Sequence, residues 1–169
     1  MRVQLRIMES LLRNMRSDLG RPHGFAAERV GLLYCRFAWI AHNQLIVLGH
    51  HYCPIPDSQY VNDQRYGAVI GTEAFRDILQ HVTDHEVGAF HVHAHPGRGK
   101  PKPSDADVRE TREFVPDFFH GRRGVPHGAV ILSDDALSAR VWISETARPK
   151  AISEIRVVGA PLQRIRGIR

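Results

Sequence analysis

The stretch Phe90–Asp107, F-H-V-H-A-H-P-G-R-G-K-P-K-P-S-D-A-D, constrains this chain more than any other. Val87–His95 is apolar and β-prone, and the spacing predicts a strand. Pro96–Pro103 carries three prolines and two glycines and predicts a loop. Ser104 followed by acids predicts the N-cap and first turn of a helix running to Phe119, with Pro116 ending or kinking it. Side chains alternate along a strand, so His91, His93 and His95 share one face, with residues two apart separated by about 6.6 Å. A fold that accepts this stretch must place three imidazoles and a helix N-terminus at one strand end.

Those residue types suit a metal ion. Imidazoles two apart on a strand can converge on one cation at ligand bonds of about 2.0–2.1 Å. Gly97 and Gly99 let the loop fold back, and Asp107, one turn into the helix, can swing a carboxylate toward the strand end. Two histidines and one carboxylate leave a fourth position for water, the open arrangement of a catalytic zinc site, where bound water ionises near neutral pH. Ser104 and Asp107 also have the spacing of a capping box, and the two roles are compatible. Asp105 is read as a first-turn acid rather than a ligand. His91 shares the face but is read as packing behind the metal or lining a cleft.

The remaining pattern supplies a scaffold. Val3–Ile7 reads as a strand and Met8–Leu19 as an amphipathic helix stopped by Gly20. Arg21–Phe25 is a loop. Ala27–Trp39 and Leu45–Tyr52 read as a hairpin turning at His42–Gln44. Cys53–Gly71 is a connecting loop with room for a short strand. Thr72–Asp84 reads as a helix with Thr72 as N-cap. Ala129–Ser133 and Ala139–Ser144 form a second hairpin, Ala151–Val158 is a last strand or short helix, and 161–169 is a basic tail. The order predicts an α/β (α+β-like) domain with a mixed sheet flanked by helices.

Composition excludes little but shapes the partners. At 169 residues one core is expected. Two cysteines without C-x-x-C spacing make neither a disulfide framework nor a thiolate zinc site. No apolar run approaches the ~20 residues of a membrane span. The first residues alternate charged and apolar types and give no secretion signal, so a cytoplasmic protein is expected. The net charge of +5 is spread along the chain without interleaved aromatics, which argues against a nucleic-acid platform and fits an acidic protein partner.

His93-Ala94-His95-Pro96 followed by Ser104-x-x-Asp107 resembles the H-x-H-P…S-x-x-D core of the JAMM/MPN+ (JAB) zinc metalloproteases. Glu28-Arg29-Val30-Gly31-Leu32-Leu33 resembles the E-x-x-G-L-L context of that family's upstream glutamate, and Ala129–Trp142 resembles its later strands. The loop Pro96–Pro103 has eight residues where the family usually has seven. The resemblance covers roughly residues 1–145, and a small domain of this kind looks like the prokaryotic stand-alone members.

The resemblance implies a single MPN/JAB-type domain over 1–160, of cytidine-deaminase-like architecture. It implies one Zn2+ per chain on His93, His95 and Asp107, with a metal-bound catalytic water. It makes Glu28 the catalytic base and Ser104 the oxyanion donor. The implied activity is a zinc-dependent isopeptidase or peptidase cutting after the C-terminus of a ubiquitin-like protein, in deconjugation or precursor processing, such as a bacterial conjugation or anti-phage system uses. An extended tail of that kind can bind by strand addition. The competing expectations are a small-substrate metallohydrolase of sulfur-carrier metabolism, a non-catalytic MPN-type scaffold, and a basic nucleic-acid-binding module. No heptads appear, so the sequence sets no oligomeric state.

Overall fold

The computed structural model describes residues 1–22, 24, 26–41, 43–63, 67–159 and 163–166. Phe25 of the first loop, His42 of the hairpin turn, and 161–162 and 167–169 of the basic tail lie outside the described residues. The chain runs β1 (Arg2–Met8), α1 (Glu9–Leu19), β2 (Val30–Ala41), β3 (Gln44–Pro54), α2 (Thr72–His85), β4 (Gly88–Ala94), α3 (Asp105–Gly121), β5 (His127–Leu132), β6 (Leu137–Trp142), β7 (Lys150–Ala151), β8 (Glu154–Val158) and β9 (Gln163–Arg166). Among the described residues the strands make one mixed sheet in the order β7-β6-β5-β4-β2-β3-β1-β8-β9. The mixed α/β expectation is met at this level.

Alternation splits the sheet into two apolar faces. On β2, Leu33 and Cys35 pack with Leu12, Met15 and Leu19 of α1. Val30, Leu32 and Tyr34 point the other way, toward Ile78 and Val82 of α2 and Val115 and Phe118 of α3. β4 lies between antiparallel β2 and parallel β5, so both of its edges are paired. Phe90 and Val92 fill the α1 side. Pleating therefore commits His91 and His93 to the α2–α3 side.

Four local expectations change. Thr72 does not cap α2: Gly71 holds the N-cap position with extended backbone and no side-chain bond. The reason is the approach path, because Tyr60 and Ile70 form a bridge and the Gly71 N–H bonds the Gln59 carbonyl. Pro116 does not end α3, which continues to Gly121. Phe118 and Phe119, buried beyond the proline, hold the last turn against the sheet. β2 starts at Val30 rather than Ala27: the Glu28 N–H goes to the Gly67 carbonyl rather than to a neighbouring strand, and the Arg29 side chain turns to the Arg21 carbonyl and Asp57. Within the basic tail, Gln163–Arg166 pair antiparallel with β8 as an edge strand. Elsewhere, 154–158 is strand rather than helix.

Candidate metal centre

The centre forms where β4 ends. His95 lies one residue past the strand, yet its N–H still bonds the Leu132 carbonyl of β5 at 2.8 Å, so the pleat carries through it. His93 and His95 consequently face the same way, with their Nε2 atoms 3.1 Å apart. The chain then reverses through Gly97 (φ 102°) and Gly99 (φ 86°), a backbone that side-chain-bearing residues rarely adopt. The turn between β5 and β6 fastens this loop. The Ser133 hydroxyl donates to the Gly99 carbonyl at 2.6 Å, and the Gly99 N–H donates to Asp135 Oδ1 at 2.6 Å.

The returning loop delivers α3 with Ser104 at its N-cap. Ser104 Oγ accepts the Asp107 N–H at 3.1 Å, and Asp107 Oδ2 accepts the Ser104 N–H at 2.6 Å, a complete capping box. The box holds the Asp107 carboxylate across the strand end. Its Oδ1 lies 3.1 Å from His93 Nε2 and its Oδ2 lies 3.2 Å from His95 Nε2. One ligand atom from each of these three residues falls within 4.8 Å of the others, so the group could hold a metal ion. Asp105 is exposed and stands outside it, and so does His91, whose ring meets the edge of Phe114 at 4.8 Å.

The donor set fits a cation. Two imidazole nitrogens and two carboxylate oxygens converge, and lone pairs so placed need a proton or a metal among them. Burial pushes the Asp107 carboxyl up, but its bonds from His93 and Ser104 outweigh that and hold it well below the usual range, hence anionic. Burial, and then His93, push His91 down to about 3, so that ring is neutral beside the group. His93 Nδ1 is buried without a hydrogen-bond partner among the described residues, so the outer support usual for a ligating imidazole is lacking on that side.

A cleft of about 490 Å³ opens beside the group, within the range of small-molecule sites. His93 and Asp107 reach its wall, and Ile70, Phe75, Ile78 and Phe114 give it an apolar lining. Glu28 is in the same wall. It sits just before β2, and its N–H bonds the Gly67 carbonyl at 2.9 Å. Burial raises its carboxyl above the ordinary value, opposed by His93 and assisted by Asp107. Glu28 therefore shares a cleft with the donor group, and Ser104 stands at the helix start beside it.

Sequence reasoning did not anticipate the supports of Glu28. Arg29 donates to Asp57 Oδ1 at 2.6 Å and to the Arg21 carbonyl at 2.8 Å. The Tyr60 hydroxyl both accepts the Val30 N–H and donates to the Val30 carbonyl. No local signal marks these contacts, since Asp57 and Tyr60 belong to the segment after β3 and Arg21 lies eight residues before Arg29. Glu110 and Phe114, also in the cleft wall, were findable by helical spacing from Asp107.

Fold and donor set together define a mixed α/β protein with a His-His-Asp group able to take a metal ion. Comparison with protein-family models and with curated proteins returns no match for this chain.

Proposed function

We propose that this chain is a zinc-dependent hydrolase of the JAMM/MPN+ type, with an MPN/JAB-type domain, that cuts the peptide or isopeptide bond following the C-terminus of a ubiquitin-like protein. The observation that carries the reading is the convergence of His93, His95 and Asp107 on one point beside a cleft that also holds Glu28. A structural zinc would ordinarily be closed by a fourth protein ligand, whereas among the described residues three side chains converge here and a cleft lies beside them.

Zinc, when bound, supplies Lewis-acid polarisation of the scissile carbonyl and a lowered pKa for water. The chain's own residues do the rest. His93, His95 and Asp107 hold the ion. Glu28 takes a proton from the attacking water as its oxygen bonds to the carbonyl carbon. When the C–N bond breaks, Glu28 returns that proton to the departing amine. The Ser104 hydroxyl, whose oxygen accepts from the Asp107 N–H, keeps its own proton to donate toward the developing oxyanion. Glu28's burial suits both duties, because a raised carboxyl pKa makes a better proton carrier near neutrality.

A second reading, a metallohydrolase of small substrates, is favoured by the partly apolar cleft, whose volume matches small-molecule sites. One experiment addresses both. Purified protein is assayed for metal content and for cleavage of a ubiquitin-like fusion and of a small peptide amide, wild type against Glu28→Gln. The proposal expects about one zinc per chain at this centre, cleavage of the fusion, and loss of cleavage with zinc retained in the variant. Cleavage of the small amide alone selects the second reading. Protein that takes up no zinc at His93, His95 and Asp107 overturns both.

A further inference from the structure

β1 pairs parallel with β3 on one side and with β8 on the other. Parallel strands are ordinarily covered on both faces. Val3, Leu5 and Ile7 of β1, with Ile155 and Val157 of β8, pack on the α1 side. On the opposite side, the α2–α3 cluster takes none of its residues from β1 or β8 among the described residues. That part of the face has no helix over it.

Alternation puts Arg36, Leu48, Arg6 and Arg156 on this open face in one row, each the register partner of the next. With strands about 4.8 Å apart, the row crosses about 14 Å. Like charges directly opposite each other destabilise a sheet, and Arg6 faces Arg156. The next row shows how the fold holds them. Gln4 and Glu154, register partners in their turn, are only 2% and 3% exposed. Arg156 Nε donates to Glu154 Oε1 at 2.8 Å, Arg2 Nη2 donates to Glu154 Oε2 at 2.6 Å, and Arg6 Nε donates to Gln4 Oε1 at 3.2 Å. Among the described residues Glu154 is the one acid on this face, against Arg2, Arg6, Arg36 and Arg156. Between the charges Leu48, Met8 and Val158 stay 37%, 52% and 39% exposed.

We infer that this face is a docking surface for an acidic segment of another protein, one that carries apolar side chains among its carboxylates. Arginine and methionine without lysine is the composition of protein interfaces. Guanidinium groups already held by bonds lose little freedom on meeting a carboxylate, and the planar fork matches it. A single-stranded nucleic acid would call for aromatic side chains to stack on, and none of these is aromatic. A phosphate chain would also leave Leu48, Met8 and Val158 uncovered. A second copy docking face to face would set arginine against arginine. None of these residues lines the cleft, and Arg36 lies six residues along β2 from Val30, the register partner of His93. The surface therefore stands about 20 Å along the strand from the metal centre and is independent of the zinc reading.

The test is fluorescence anisotropy of a short labelled peptide of alternating Glu and Leu, titrated with the full chain at low salt. Its readout is binding and needs no cleavage. Binding should saturate, weaken as salt rises, and vanish when Gln replaces Glu in the peptide. Arg6→Gln should weaken it about tenfold. Arg36→Gln, at an exposed position outside the Gln4–Glu154 bonds, should weaken it in the same direction without touching the fold. Leu48→Ser should weaken it with the charge unchanged. Arg112→Gln, which removes the same charge from an exposed position on α3, should leave it as in wild type. A peptide that does not bind, or binds equally well to the Arg6 and Arg36 variants, overturns the proposal. Tighter binding of oligothymidylate or of phosphatidylserine vesicles, lost in the same variants, overturns it in favour of that other partner.

Discussion

His93 Nε2 and Asp107 Oδ1 stand 3.1 Å apart, joining the end of β4 to the first turn of α3 across a loop that contributes no donor of its own to the group. The carboxylate is doubly committed, since Oδ2 also takes the Ser104 N–H. Asp107→Ala should therefore lose the centre's metal and also cost about 1 kcal/mol of stability through the broken cap. Asp105→Ala should keep the metal. Metal analysis after gel filtration and thermal melts check both. Stoichiometric metal in Asp107→Ala at a site still dependent on His93 would falsify the ligand assignment.

Glu28→Gln should retain the metal and lower turnover by roughly 10²–10⁴-fold, the usual share of a proton-transfer group. The same change has a stability signature. The carboxyl's folded pKa is raised, chiefly by burial, so its contribution to stability is fully present below the unfolded pKa and is lost as pH rises through the folded one. At neutral pH the metal-free wild type carries that loss and the glutamine variant does not. Melting curves at pH 4 and pH 7.5 should show the variant gaining on wild type at the higher pH. Equal pH dependence in the two proteins would mean that Glu28 is not buried as described.

Gly67→Ala probes the wall behind the base. A Cβ at this position would come within 2.3 Å of Glu28 Oε1, so the carboxylate must move. Metal content should stay at the wild-type level while kcat falls at least tenfold, and the fold should melt within a few degrees of wild type. Unchanged kcat would show that the position of Glu28 in this wall does not matter to the chemistry.

Arg29 is the anchor on the other side of Glu28. Its side chain is 2% exposed, while that of its partner Asp57 is 52% exposed. Arg29→Met removes the charged donors from two backbone carbonyls as well as from Asp57, and should destabilise by about 2–3 kcal/mol. Asp57→Asn keeps a polar acceptor in a half-open position and should cost less. Chemical denaturation of the two variants gives the comparison, and equal losses would contradict the burial asymmetry.

The elements were largely legible because their signals are local. Apolar, β-prone runs marked β2, β3 and β4, the alternation of Val3–Ile7 marked β1, and the helical spacing of Leu12, Met15 and Leu19 marked α1. The centre was legible for the same reason: His93 and His95 are two apart on a strand, and Asp107 is fixed by the box with Ser104. Thr72 and Pro116 misled because both were read by local rule. A distant pairing of Tyr60 with Ile70 set the start of α2, and buried Phe118 and Phe119 carried α3 past its proline.

The sequence by itself determined which imidazoles share a face and which acid caps the helix, since pleat and helical turn follow from backbone geometry alone. Only the tertiary structure decided that the loop turns back far enough for Asp107 to meet both rings. It alone placed Glu28 beside Gly67 in the same cleft and brought His51 of β3 against His81 of α2. These contacts join segments far apart in the chain, and the order in which strands pair, which sets them, is a property of the whole sheet rather than of any stretch of residues.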